Sequence, residues 1–307
     1  MKKLIINFQI LIFISLISCS KSNNDEVNSN NISVTSNENT ASNDSSSETN
    51  DSSNNSSDSS NTSSDSSSDT NSSSNSDSVN QSTDETVNIA EDGVPSVFNK
   101  IYSASRIYLD GDFVVIEVDG APDHKSPYYN SDNSLYEAYN GSNTSFNLNP
   151  NTIGTFDYVY KIPLNPSEAV RKSATPLGSI GVSLNGVAFF NQYAGPNNQP
   201  LTNEINSFDQ YGGHPTGSKE YHYHLEPFYL TSTKGSDALL GFLLDGFPVY
   251  GPEEQEKRVT NDDLDEYHGH SHETKDYPDG IYHYHITDVD PYINGSGFFG
   301  TPGTVTK

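Results

Sequence analysis

From Phe156 to Leu164, apolar residues fall at every second position: Phe156, Tyr158, Tyr160, Ile162 and Leu164. Asp157, Val159, Lys161 and Pro163 stand between them. Side chains on a strand point to opposite faces in turn, so this period of two predicts a half-buried strand. Ile107 to Val118 reads as two β-rich runs around Asp110-Gly111, a residue pair suited to a tight hairpin turn. Ile180 to Phe190 has the same form around Asn185-Gly186, and Leu239 to Tyr250 around Asp245-Gly246. Ile281 to Ile286 is a short aromatic strand. No segment keeps a helical period, and only Pro166 to Lys172 reads as a helical turn. The predicted fold class is mainly β: a single antiparallel β-rich domain, sandwich-like or an open barrel, over residues 91–307.

Ahead of that domain the pattern vanishes. From Ser20 to Val87 the chain is almost entirely Ser, Asn, Asp and Thr, with no aromatic residue and no proline. Such a composition buries too little apolar surface to offset the entropy of ordering, and residues 19–88 are expected to form a disordered tether. It holds 12 of the chain's 41 acidic residues, leaving 29 against 12 basic ones outside the tether and the N-terminal Lys2 and Lys3. The chain opens with those two lysines and an apolar run from Leu4 to Ile17, followed by Leu16-Ile17-Ser18-Cys19, a sequence that looks like a lipobox. The run is about 14 residues, below the ~20 that span a bilayer. Residues 1–18 are therefore expected to be a lipoprotein signal peptide. Cys19, the chain's one cysteine, is the expected lipidation site. The protein would be anchored by that lipid to a cell membrane or outer membrane, its domain facing the periplasm or exterior of the cell.

A net charge of −26 removes nucleic acid from the candidate partners, because phosphate binding needs a basic footprint. It favours cationic ligands, metal ions included.

Eight of the nine histidines lie between His214 and His285, in two copies of one pattern. Asp209-Gln-Tyr211-Gly-Gly213-His214 precedes Tyr221-His-Tyr-His224, and Asp265-Glu-Tyr267-His-Gly269-His270 precedes Tyr282-His-Tyr-His285. A repeated word of two uncommon residue types is a structural unit used twice. On a strand, His222 and His224 share one face, and so do His283 and His285, with the tyrosines opposite. Neutral imidazole is the commonest metal ligand, and clusters of it suit Zn, Cu, Ni or Fe. With Cys19 lipidated and Met1 removed, no sulfur ligand remains, which leaves His plus Asp245 or Asp265 as candidate carboxylates. Cu or Zn binds such nitrogen and oxygen sets tightest. If the two words pair as neighbouring strands, His222, His224, His283 and His285 form one site, joined by His214 and His270. His272 has no counterpart in the first copy.

At this word the chain resembles the YHYH-domain proteins. Gly120-Ala-Pro122-Asp-His124, Ile180 to Val187 and Leu244 to Pro252 are similar to the family's other landmarks. The resemblance makes His124 a possible additional site member. It also marks a departure, since relatives often carry Cys where Tyr211 and Tyr267 stand. It implies a domain and leaves the activity open. The expected function is a membrane-anchored extracytoplasmic metal-binding protein. The alternatives are a metal-dependent enzyme (oxidoreductase or hydrolase) and a structural or adhesive cell-surface module whose Tyr/His network holds no metal. A calcium loop around Asp288-Val-Asp290 lacks the full ligand spacing.

Overall fold

A computed structural model describes residues 90–195, 197–295 and 297–307. The expected signal peptide, Cys19 and the tether to residue 88 lie outside the described residues. Among the described residues, no helix is long and apolar enough to cross a membrane.

The alternating segment forms as its pattern requires. Strands β1 (Arg106–Asp110), β2 (Phe113–Val118) and β3 (Tyr158–Pro163) build an antiparallel sheet, closed on its far side by β16 (Thr304–Thr306). In β3, Tyr158, Tyr160 and Ile162 are buried and their neighbours half-buried. Asp110 pairs with Phe113 across the turn, and Gly111 takes φ +61° there, a conformation that costs a side chain-free residue little.

Eight further strands make the second sheet: β5 (Gly181–Ser183), β6 (Ala188–Phe189), β7 (Gly213–Pro215), β8 (Tyr221–Tyr223), β9 (Leu239–Leu243), β10 (Pro248–Tyr250), β13 (Gly269–His272) and β14 (Ile281–His285). Their spatial order is β13-β14-β10-β9-β5-β6-β8-β7. The two halves repeat one arrangement. β5 pairs antiparallel with β6, β6 parallel with β8, and β8 antiparallel with β7. β9, β10, β14 and β13 do the same. At the centre, Gly181 pairs with Leu243, Val182 with Phe242 and Ser183 with Gly241. Since Gly181 corresponds to Gly241, this register is a pseudo-twofold about Val182 and Phe242. The parallel pairs β6 with β8 and β10 with β14 make this otherwise antiparallel sheet mixed. Each parallel neighbour is the incoming histidine word, which returns beside its own half's hairpin after a long loop, as parallel strands require.

One apolar cluster joins the sheets, with Ile116, Tyr160 and Ile162 from the first and Val182, Phe189, Phe242 and Tyr284 from the second. Neither sheet closes into a barrel among the described residues. Residues 166–172 depart from the predicted helical turn. Glu168–Ser173 is strand β4, paired with β15 (Phe298–Gly300). Its partner lies some 130 positions along the chain, so nothing local announces it. The short helix α1 (Phe228–Lys234) follows the first histidine word and has no periodic signal at seven residues.

Candidate metal centres

The two words do not meet. Four strands (β6, β5, β9 and β10) separate β8 from β14. At ~4.8 Å per strand the words stand about 24 Å apart. The single four-histidine site is therefore replaced by two centres, one in each half. The reason lies in the pairing: each word enters beside its own half's hairpin, and the halves join through the opposite edge of that hairpin.

In the first centre, Glu204, His214, His222 and His224 offer ligand atoms that all lie within 4.8 Å of one another. His222 Nε2 is 3.1 Å from His214 Nε2 and 3.0 Å from His224 Nε2. Glu204 Oε1 is 3.1 Å from His214 Nε2. The other ring nitrogens decide what these contacts mean. His222 Nδ1 donates to the carbonyl of Glu220 at 3.0 Å, and His224 Nδ1 donates to the carbonyl of Asn191. His214 Nδ1 donates at 2.7 Å to Ser207 Oγ, whose own hydrogen goes to the Glu204 carbonyl. A carbonyl only accepts, so each Nδ1 carries the hydrogen and each neutral ring presents a bare Nε2 lone pair. Three lone pairs and a carboxylate then face one point and repel one another unless a cation lies between them. A tetrahedral ion with bonds of about 2.0–2.1 Å would set its ligands roughly 3.3 Å apart, close to the spacings seen.

The second centre repeats the logic with one more imidazole. Glu254, His270, His272 and His283 offer atoms within the same 4.8 Å, and His272 Nε2 lies 3.1 Å from His270 Nε2. His285 Nε2 stands 3.8 Å from Glu254 Oε1. The Nδ1 atoms of His283, His285 and His272 donate to the carbonyls of Ile281, Gly251 and Glu273 at 2.9, 2.8 and 2.7 Å. The Nε2 atoms of His283 and His285 are buried and have no hydrogen-bond partner. Leaving such an acceptor unmet costs about 1–3 kcal/mol each.

Burial keeps the rings of His222, His224, His283 and His285 neutral, which is the ligating form. It lowers His224 and His285 to about 4 and His283 to about 3. His222 falls well below the ordinary range through burial and then the adjacent His214 and His224.

The tyrosines occupy the opposite face, as the strand geometry predicts, and they engage the remaining candidates. Tyr221 Oη donates to Asp209, and Tyr282 Oη to Asp265 at 2.9 Å. Tyr284 Oη donates to Asp245, and Tyr223 Oη bonds Asn185 and His124. Asp245, Asp265 and His124 are thus placed with the tyrosines and away from the imidazole clusters. The ring of Tyr211 packs 4.5 Å from that of His124, on this same side. His268 bonds Thr287 and belongs to neither cluster. Asp288 is bound by Arg258. The glycine before each leading histidine has a steric cause: a Cβ on Gly213 or Gly269 would sit 2.5 Å from Cζ of Tyr221 or Tyr282.

Three cluster members escaped the sequence reading. Glu204 and Glu254 lie 10 and 16 residues before their leading histidines, with no shared spacing to flag them. His272 has no histidine counterpart in the first copy, so the repeat does not point to it. The repeat is also longer than the histidine words: Gly181-Val-Ser-Leu184-Asn-Gly186 corresponds to Gly241-Phe-Leu-Leu244-Asp-Gly246, and those hairpins place Asn185 and Asp245 on equivalent tyrosines.

The family model described as YHYH protein matches residues 159–260 and again 253–297. The first match runs through the first histidine word and the β9–β10 hairpin, and the second covers the second histidine word. No curated protein and no solved structure matches the chain.

Proposed function

The chain is a YHYH-domain protein, and from the paired clusters of that domain we propose that it binds two transition-metal ions, Cu or Zn, one in each half. The proposal includes a lipid on Cys19 that holds the domain at a membrane outside the cytoplasm. The observation that carries the metal reading is the orientation of the imidazoles. Their Nδ1–H groups are committed to acceptors, and their bare Nε2 atoms converge where, among the described residues, no donor meets them. A Tyr/His network without metal would instead turn those lone pairs toward hydroxyls, as His124 does toward Tyr223. The residues present fit a borderline metal: neutral imidazoles and one carboxylate, with no thiolate.

Elemental analysis of the full-length, tag-free chain tests this. Two equivalents of Cu or Zn are expected. The His222→Ala/His224→Ala and His283→Ala/His285→Ala double variants should each keep one. Uptake of neither metal by the folded chain would overturn the reading.

A further inference from the structure

We propose that the two centres are unequal: protein ligands fill the second, while the first keeps a coordination position open to a cavity and takes a small monoanion there. The inference rests on the reading that both clusters bind metal.

The pseudo-symmetry identifies what differs. In the second half, β13 pairs with β14 so that His270 faces His283 and His272 faces Ile281. In the first half His214 faces His222, and two residues on, the amide of Thr216 bonds the carbonyl of Glu220. Thr216 therefore stands where His272 stands. Its hydroxyl is taken up locally, 2.8 Å from Ser218 Oγ, and replaces no ligand. The first centre is left with three imidazoles and Glu204; the second has four around Glu254.

Space follows the missing imidazole. His214, His222, His224 and Glu204 line a cavity of about 430 Å³ whose wall includes Thr216. The corresponding cavity at the second centre is about 150 Å³. The larger one holds several small molecules' worth of volume directly against the ligand atoms. A five-coordinate ion held by three protein nitrogens and a carboxylate keeps one position for an exogenous group, and the cavity gives that group room; four nitrogens and a carboxylate fill the same shell. A divalent ion beside one carboxylate leaves a net charge of about +1 at the first centre. The rest of the wall is uncharged: it mixes Asn149, Asn151, Asn191 and Thr216 with Leu177, Phe190 and Pro215, with no Lys or Arg among its described residues. A small anion of single charge meets an attractive ion there, with no carboxylate other than Glu204 in the wall. A larger or multiply charged one meets a domain with a strong excess of acidic residues.

The test loads the full-length chain with Cu(II) and titrates azide, following the azide-to-copper charge-transfer absorption against the copper content. One azide per two coppers is expected. Thr216→His should abolish that azide while keeping both coppers, and His272→Thr should raise the count to two. Two bound coppers with two azides, or with none, in the unaltered chain overturn this proposal alone. So does an azide retained by Thr216→His. A folded chain that takes up no copper and no zinc overturns the metal reading beneath it as well.

Discussion

The two faces of β8 should be separable by single-atom surgery on Tyr221. Tyr221 is fully buried, and its hydroxyl lies 2.9 Å from both carboxylate oxygens of Asp209, itself only 4% exposed. Tyr221→Phe removes one oxygen, leaves the ring in place, and deprives a buried carboxylate of its phenol donor. Asp209 keeps Ser126 Oγ at 2.6 Å and the amide of Tyr211 at 2.9 Å, so the charge is not stranded. The loss is that of one hydrogen bond to a charged group, about 1.5–3 kcal/mol. For a domain of this size each kcal/mol moves Tm by roughly 2–4 °C, so the fall should be about 3–12 °C. The imidazoles of His222 and His224 are turned to the other face and take their orientation from the Glu220 and Asn191 carbonyls, which the substitution does not touch. Metal content should stay at the unaltered value. Thermal unfolding by circular dichroism and elemental analysis of the same sample make the check. A Tm within 1 °C of the parent refutes the energetic argument. Loss of one metal equivalent from a folded variant refutes the division of the faces.

Gly213→Ala and Gly269→Ala should each destabilise by about 1–3 kcal/mol or more, since a new methyl would overlap a buried tyrosine ring, and urea unfolding measures it. The metal-free domain should lose stability as pH falls from about 6.5 toward 4. Burial places His224, His283 and His285 at about 3–4 when folded against ~6.5 when unfolded, so in that window the unfolded chain binds more protons. The loss at pH 5 is as much as about 2 kcal/mol per imidazole, and an unfolding midpoint that does not move between pH 7 and 5 would contradict it. Cys19→Ser should release the protein from the membrane fraction with its domain folded, as fractionation and circular dichroism would record; a variant still membrane-bound would mean the apolar run from Leu4 is itself the anchor.

Much of this molecule was written locally. The strands at 107–118 and 156–164, the three Asx-Gly hairpins and the alternation of His and Tyr in each word follow from side-chain period and turn chemistry, which act over a few residues. So does the expectation of neutral, nitrogen-rich ligation, because it depends only on which residue types are present. What the sequence could not settle were the pairings across the chain. Glu168–Ser173 is a strand because Phe298–Gly300 lies beside it, and Glu204 and Glu254 are cluster members because a 3₁₀ turn over Glu204–Ser207 and a short hairpin of Glu253–Glu254 with Lys257–Arg258 bring them to the imidazoles. The number of centres was of the same kind. Repetition alone allows two words to build one site or two, and the choice rests on which edges of the two halves join. Val182 and Phe242 meet at the sheet centre, so the histidine strands are carried toward its opposite ends, and one imagined site becomes two.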